Sequence, residues 1–159
     1  MTLLAWTDEL ANHHPQMDET HQEFVQLINE LEAARVAGAE DLIARYDALI
    51  DHTVEHFAQE DRWMAATGFT PENCHTNQHK QVLELLNEVR RRVVDEGQDE
   101  LLPRLLPELA TWFEQHAQSM DAALIFHMGE VGYDATSGQI ERPVQPEAAI
   151  SGCGGSTCS

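Results

Sequence analysis

The 159-residue chain carries 28 acidic residues against nine basic ones, a formal net charge of −19, with a hydrophobic fraction of 42%. Such a charge repels nucleic acid and anionic lipid, which excludes both as expected partners. No apolar run approaches the roughly 18 residues that a membrane span requires, so no membrane association is expected either. The length predicts one domain. The N-terminal stretch MTLLAWTDEL has no basic region and no cleavage pattern, which makes the cytoplasm the expected compartment. Three cysteines do not make a disulfide framework, but nine histidines are an enrichment.

The first 15 residues read as a loop-rich arm anchored by Trp6. A first helix begins near Met17, because Met17, His21, Phe24, Val25, Ile28 and Leu31 fall on one face; Gly38 is its expected stop. A second helix runs from about Glu40 to Thr67. Its stripe is Leu42, Ile43, Tyr46, Leu49, Ile50, Thr53, His56, Phe57, Glu60 and Met64, and Gly68 ends it. The third helix is expected to open with Thr70 as N-cap and Pro71 in its first turn. His75, His79, Val82, Leu86, Val89 and Val93 follow at helical spacing, and Gly97 closes it. The fourth is interrupted by Pro103 and Pro107. A short irregular turn is expected first, with the main helix established by about Leu105–Glu108 and continuing through Trp112, His116, Met120 and Leu124 to about Met128. After Gly132 the composition turns to Gly, Pro, Ser and Thr, so residues 133–159 read as a tail that starts on the bundle and ends disordered. With no strand pattern and mostly short connections, residues 1–132 predict an all-α, up-down-up-down four-helix bundle.

Each helical stripe is apolar except at positions that hold a histidine or a carboxylate: His21; His56 and Glu60; His75 and His79; His116 and Asp121. A single histidine on an apolar face is ordinarily a hydrogen-bonded core residue. Seven such groups on four helices would cost several kcal/mol each if buried unpaired, beyond the roughly 5–15 kcal/mol stability of a domain. Metal ions in the core would satisfy them together. Five imidazoles and two carboxylates are too many for one tetrahedral zinc and suit two ions bridged by the carboxylates. By ligand type, iron, manganese and zinc all fit. His116 and Asp121 are five residues apart, which puts them about 140° out of register on an ideal helix. Either Asp121 reaches sideways or the helix carries a π-bulge there.

The segments MDETHQEF (17–24), HFAQED (56–61), HTNQH (75–79) and HAQSMD (116–121) together resemble the hemerythrin family, specifically the bacterial hemerythrins. Trp6, Met17 with Asp18, Phe57, and Trp112 four residues before His116 extend the match. The resemblance implies a non-haem centre of two iron ions with a bridging oxo or hydroxo group, binding dioxygen reversibly. Residue by residue, it implies that His75, His79 and His116 hold one iron, that His21 and His56 hold the other and leave it an open position, and that Glu60 and Asp121 bridge. Phe24, Ile28, Phe57, Trp112 and Phe113 are the candidate walls of an apolar oxygen pocket.

The sequence departs from the family at His52, where Tyr or an aliphatic residue is more usual, and at Phe113, where leucine is frequent. His52 is a candidate hydrogen-bonding neighbour of the site or a partly exposed histidine. Cys74 is not an expected ligand, since adjacent helical residues point about 100° apart. Cys153 and Cys158 are expected to be free thiols in the cytoplasm, with a local disulfide or metal capture as alternatives. A carrier of dioxygen for storage, delivery or sensing, rather than an enzyme, is the expected function. A di-iron oxidase or peroxidase is one rival, although only one Glu-x-x-His motif is present, ENCH (72–75), with an Asp version in DETH (18–21). An iron- or redox-handling sensor acting on an unidentified protein partner through the tail is another.

Overall fold

A computed structural model describes residues 2–152, and the expectations for Cys153, Cys158 and the end of the tail fall outside that range. The fold is all-α, a four-helix bundle built from four helical rods. Helix α1 spans Pro15–Ala37, α2 Leu42–Ala66 and α3 Cys74–Glu96. The fourth rod consists of α4, Leu102–His116, a π-helical turn at Ala117–Asp121, and α5, Ala122–Glu130. α1 packs on α2 and α4, and α2 packs on α3. Among the described residues, no helix is long and apolar enough to cross a membrane.

Local chemistry sets the ends. His14 caps α1 by accepting the Met17 N–H at its Nδ1, 3.3 Å away. Gly38 and Gly97 end α1 and α3 in the left-handed conformation, which costs glycine least. The third helix starts later than its sequence suggests. Asn73, not Thr70, is the cap: its side chain accepts the Thr76 N–H at 3.0 Å, and the Thr76 hydroxyl accepts the Asn73 N–H at 3.0 Å. This reciprocal box satisfies two otherwise orphaned donors, and Thr70–Glu72 become the turn before it. The fourth rod starts earlier than expected. A 3-10 turn at Asp99–Leu101 leads straight into α4, with Pro103 in the first helical turn where its missing N–H is harmless. Pro107 is carried inside the helix.

One large core includes Ile28, Leu31, Tyr46, Leu49, Leu86, Leu102 and Leu106 and reaches the histidines through Phe57 and Phe113. A smaller cluster of Met17, Trp63, Met64, Leu124 and Met128 fills the opposite end. The N-terminal arm is fastened by Asn29, whose amide oxygen accepts the N–H groups of Leu3 and Leu4 and whose amide nitrogen donates to the Leu4 carbonyl at 2.7 Å.

The segment after Gly132 folds back over the α2–α3 corner. Tyr133 bridges to Ile140, and Phe69 to Ile150. The Ile150 N–H donates to Gly68 at 2.9 Å, the Thr70 N–H to Ile150 at 2.8 Å, and the Cys74 N–H to Ser151 at 3.1 Å. Gly68, at φ +96°, lies so close to Val144 that a Cβ there would come within 2.5 Å of the valine Cβ. Cys74 takes part in a disulfide.

Candidate metal centre

The bundle brings all seven predicted groups into its interior. α1 supplies His21, α2 His56 and Glu60, α3 His75 and His79, and the fourth rod His116 and Asp121. None is more than 4% exposed. Helical periodicity accounts for the pairs four residues apart, which stack on one face. The pair five apart is brought into line by the π turn, where the Ala122 N–H reaches back to the Ala117 carbonyl. One extra residue per turn brings Asp121 round to the face that His116 occupies. Of the two geometries open from sequence, the fold uses the bulge.

The seven groups form two overlapping sets whose ligand atoms all lie within 4.8 Å of one another: Glu60, His75, His79, His116 and Asp121; and His21, His56, Glu60 and Asp121. The carboxylates join the two sets through different oxygens. Glu60 Oε2 lies 3.0 Å from His75 Nε2 and 3.1 Å from His79 Nε2, while its Oε1 lies 2.7 Å from His56 Nε2. Asp121 Oδ1 lies 2.9 Å from His75 Nε2 and 3.0 Å from His116 Nε2, while its Oδ2 lies 3.1 Å from His21 Nε2.

These contacts have the lengths of hydrogen bonds without their geometry. Both oxygens of Glu60, both oxygens of Asp121, both nitrogens of His21 and Nε2 of His79 have no hydrogen-bond partner among the described residues. Each buried polar atom left so costs about 1–3 kcal/mol. A cation changes that balance. Neighbouring ligand atoms on an octahedron with bonds of about 2.1 Å are about 3.0 Å apart, which matches the observed spacings. His75 Nε2 and His116 Nε2, 3.1 Å apart, fit the same polyhedron edge. The donor set, imidazole nitrogens with carboxylate oxygens, suits first-row transition ions.

Without an ion, the charges compensate one another. Burial alone would push both carboxyls up. The imidazoles of His56 and His75 around Glu60, and of His116, His21 and His75 around Asp121, hold both well below the usual carboxylate range. Burial pulls His21 and His79 down, yet Asp121 beside the first, and Asp61 and Glu60 beside the second, leave both raised.

Two residues that sequence reasoning missed orient the imidazoles. His79 Nδ1 is 2.9 Å from Asp61 Oδ1, and His116 Nδ1 is 3.0 Å from Gln78 Oε1. An acceptor at Nδ1 fixes the proton there and keeps the Nε2 lone pair pointing inward. Asp61 and Gln78 each sit one residue from a member of the cluster, but neighbouring positions in sequence give no sign of which imidazole on a facing helix they reach. His52 stays outside the cluster: its Nε2 pairs with Glu23 Oε2 at 2.9 Å, and its ring stacks along His56 at 6.2 Å. Beside them a polar cleft of about 180 Å³, lined in part by Glu23, His52 and His56, opens to solvent.

The five apolar candidates divide between the two halves. Phe113 meets His21 edge-on at 5.0 Å and stacks on Phe24 at 4.4 Å, so both cover the two-histidine side. Ile28 is fully buried one turn beyond Phe24. Phe57 stacks on His79 at 4.0 Å and Trp112 on His116 at 4.5 Å, which places both against the three-histidine side.

The family described as Hemerythrin HHE cation binding domain matches residues 7–125. A bacteriohemerythrin of Ralstonia nicotianae is 39% identical over 135 residues, covering 85% of this chain and 96% of its own length. Bacteriohemerythrins of Stenotrophomonas maltophilia, 25% identical over 77% of this chain and 80% of its own, and of Methylococcus capsulatus, 24% identical over 76% and 93%, are further relatives. The family match spans every helix that contributes to the cluster, and the chain belongs to the hemerythrin family, on its bacterial branch.

Proposed function

We propose that the cluster holds two non-haem iron ions and that the protein binds dioxygen reversibly on the side of His21 and His56. The observation that carries this reading is the asymmetry of the two sets, five donors against four, joined by carboxylates that offer one oxygen to each side. The set with Glu60, His75, His79, His116 and Asp121 would hold one ion with five protein donors, and the set with His21, His56, Glu60 and Asp121 would hold the other with four, which would leave the His21 and His56 side the more open to a small ligand. When bound, a ferrous pair supplies two electrons that dioxygen can accept and return.

The chain's own residues suit a carrier. His75, His79 and His116 would fill one ion, with Asp61 and Gln78 holding two of those imidazoles in the correct tautomer. His21 and His56 would hold the other. Phe24 and Phe113, both at 2% exposure, put hydrocarbon on the His21 side of the cluster and would exclude water there. Five neutral imidazoles bring no negative charge, so oxidised iron is stabilised less than in a carboxylate-rich oxidase site. Phe57 and Trp112 would instead shield the filled ion by stacking on its ligands.

The test is reconstitution with ferrous iron under anaerobic conditions, followed by cycles of air and argon monitored by visible absorption. A band that appears in air and disappears under argon over repeated cycles is the expected result. One-way conversion to the ferric state with peroxide release would replace the carrier by an oxidase.

A further inference from the structure

The polar cleft beside His52 and His56 is a seam between two helices. Thr20 and Glu23 of α1 line one side, and His52, Glu55, His56 and Gln59 of α2 line the other, at the i, i+3, i+4, i+7 spacing of a single helix face. Glu23 and Glu55 are exposed, whereas His56 is 4% exposed, so His56 lies at the bottom of the cleft. Its ring meets that of His21 edge-on at 5.0 Å, and its Nε2 lies 2.7 Å from Glu60 Oε1. One imidazole therefore separates the cleft from the four-donor set. On another flank that set is backed by the stacked rings of Phe24 and Phe113.

We infer that this cleft is the port through which small ligands, dioxygen and azide among them, reach the side of His21 and His56, and that the hydrogen bond between His52 and Glu23 is its gate. The inference rests on the reading that an ion held by His21 and His56 takes up a small ligand. His52 is on α2 and Glu23 on α1, so their contact at 2.9 Å ties the seam across the cleft. A carboxylate only accepts, so His52 Nε2 carries the hydrogen. His52 Nδ1 has no hydrogen-bond partner among the described residues, which leaves Glu23 to hold the ring in place. Held there, the ring lies nearly parallel to His56, at an interplanar angle of 10° and a centroid distance of 6.2 Å. The Glu23 side chain is 56% exposed, and a pair this wet is weak enough to open often. When it opens, the His52 ring is free to swing off His56 and the seam widens. His52 is thus a positioning residue: it sets how often the port opens, not how tightly a ligand is held.

Two measurements on the full chain test this. The first uses metal-free protein: brief treatment with diethyl pyrocarbonate, which acylates unprotonated imidazole, with the initial rate at His56 read from peptide masses. His52→Ala should label His56 about fivefold faster than wild type, the scale set by losing one weak pair. His52→Gln, whose amide offers Glu23 a donor near the place of Nε2–H, and Glu23→Gln, which keeps an acceptor for His52, should both stay close to wild type. The second follows azide binding to the diferric protein by stopped-flow, in about 0.3 M salt to screen the exposed charges. His52→Ala should raise the association and dissociation rates together, each about fivefold, and leave the azide Kd and absorption band unchanged. A side chain that only supported the site would change the affinity or the band instead. Unchanged His56 labelling in His52→Ala, azide rates at the wild-type value while labelling rises, His52→Gln as fast as His52→Ala, or an altered Kd would each overturn the inference. The labelling needs no ion and neither measurement needs dioxygen, so a protein that fails to bind oxygen reversibly would sink the proposed function while the gate is still read.

Discussion

At the scale of single residues, the site depends on groups one shell out from the cluster. Asp61 is half exposed, so its contact with His79 Nδ1 is not required to hold a buried charge. Its effect is on the tautomer and orientation of the imidazole. Asp61→Ala is therefore expected to leave the fold intact and weaken iron binding by about 10–100-fold, measured by competition with a chelator. Titration of the metal-free chain gives a second test. His21 and His79 are raised because Asp121, and Asp61 with Glu60, outweigh burial. A raised imidazole contributes stability that is fully present below its unfolded value, near 6.5, and lost as pH rises through its folded value. Glu60 and Asp121 are held down, so their contribution is present above the ordinary carboxylate range and lost only in strong acid. The chelator-stripped protein should melt higher at pH 6 than at pH 8.5. The iron-loaded protein should instead lose stability as the pH falls below about 6, because its ligands must be unprotonated. Parallel thermal scans of the two forms would show the opposite slopes.

At the scale of elements, the π turn sets the phase of the fourth rod. In a regular helix the stripe would run from His116 to Met120. In the structure Met120 is only partly buried, while Asp121, Leu124 and Met128 face inward. Because five residues of π turn and four of α-helix bring the chain to nearly the same face, deleting Ser119 should restore a straight helix with an aspartate four residues after His116. The Ser119 deletion is expected to fold and to keep most of its iron. Deleting Thr111 instead rotates the rod on one side by about 100° and should abolish iron binding; metal analysis and circular dichroism distinguish the two. Periodicity made the four rods and their inward histidines legible, since helical stripes with polar interruptions are a direct readout of facing. It could not choose between a sideways Asp121 and a bulge, because both satisfy the same sequence. It also preferred Thr70–Pro71 as the start of α3, when the Asn73–Thr76 box was available three residues later. The proline pair delayed the expected start of the last rod, although Pro103 sits where a helix tolerates it. Asp61 and Gln78 were invisible because their partners lie on other helices.

At the scale of the whole molecule, the segment after Gly132 closes one end of the bundle without any apolar period to announce it. Its backbone pairs with residues 68–74, and Val144 packs against the bare face of Gly68. A side chain at that position would meet both an unfavourable φ and a collision. Gly68→Ala is expected to destabilise the protein by at least about 2 kcal/mol in denaturant titration and to expose the tail to proteolysis, with the absorption of the iron site unchanged.

The seven clustered groups come from all four rods, so no part of the bundle can be left out of the proposed centre. Ions seated there would have no private exit: each would be released only when at least one rod swings away from the others. Their escape into a strong chelator would then work as a clock for breathing of the entire bundle. Its rate should follow the slowest amide exchange in the core rather than the strength of the chelator.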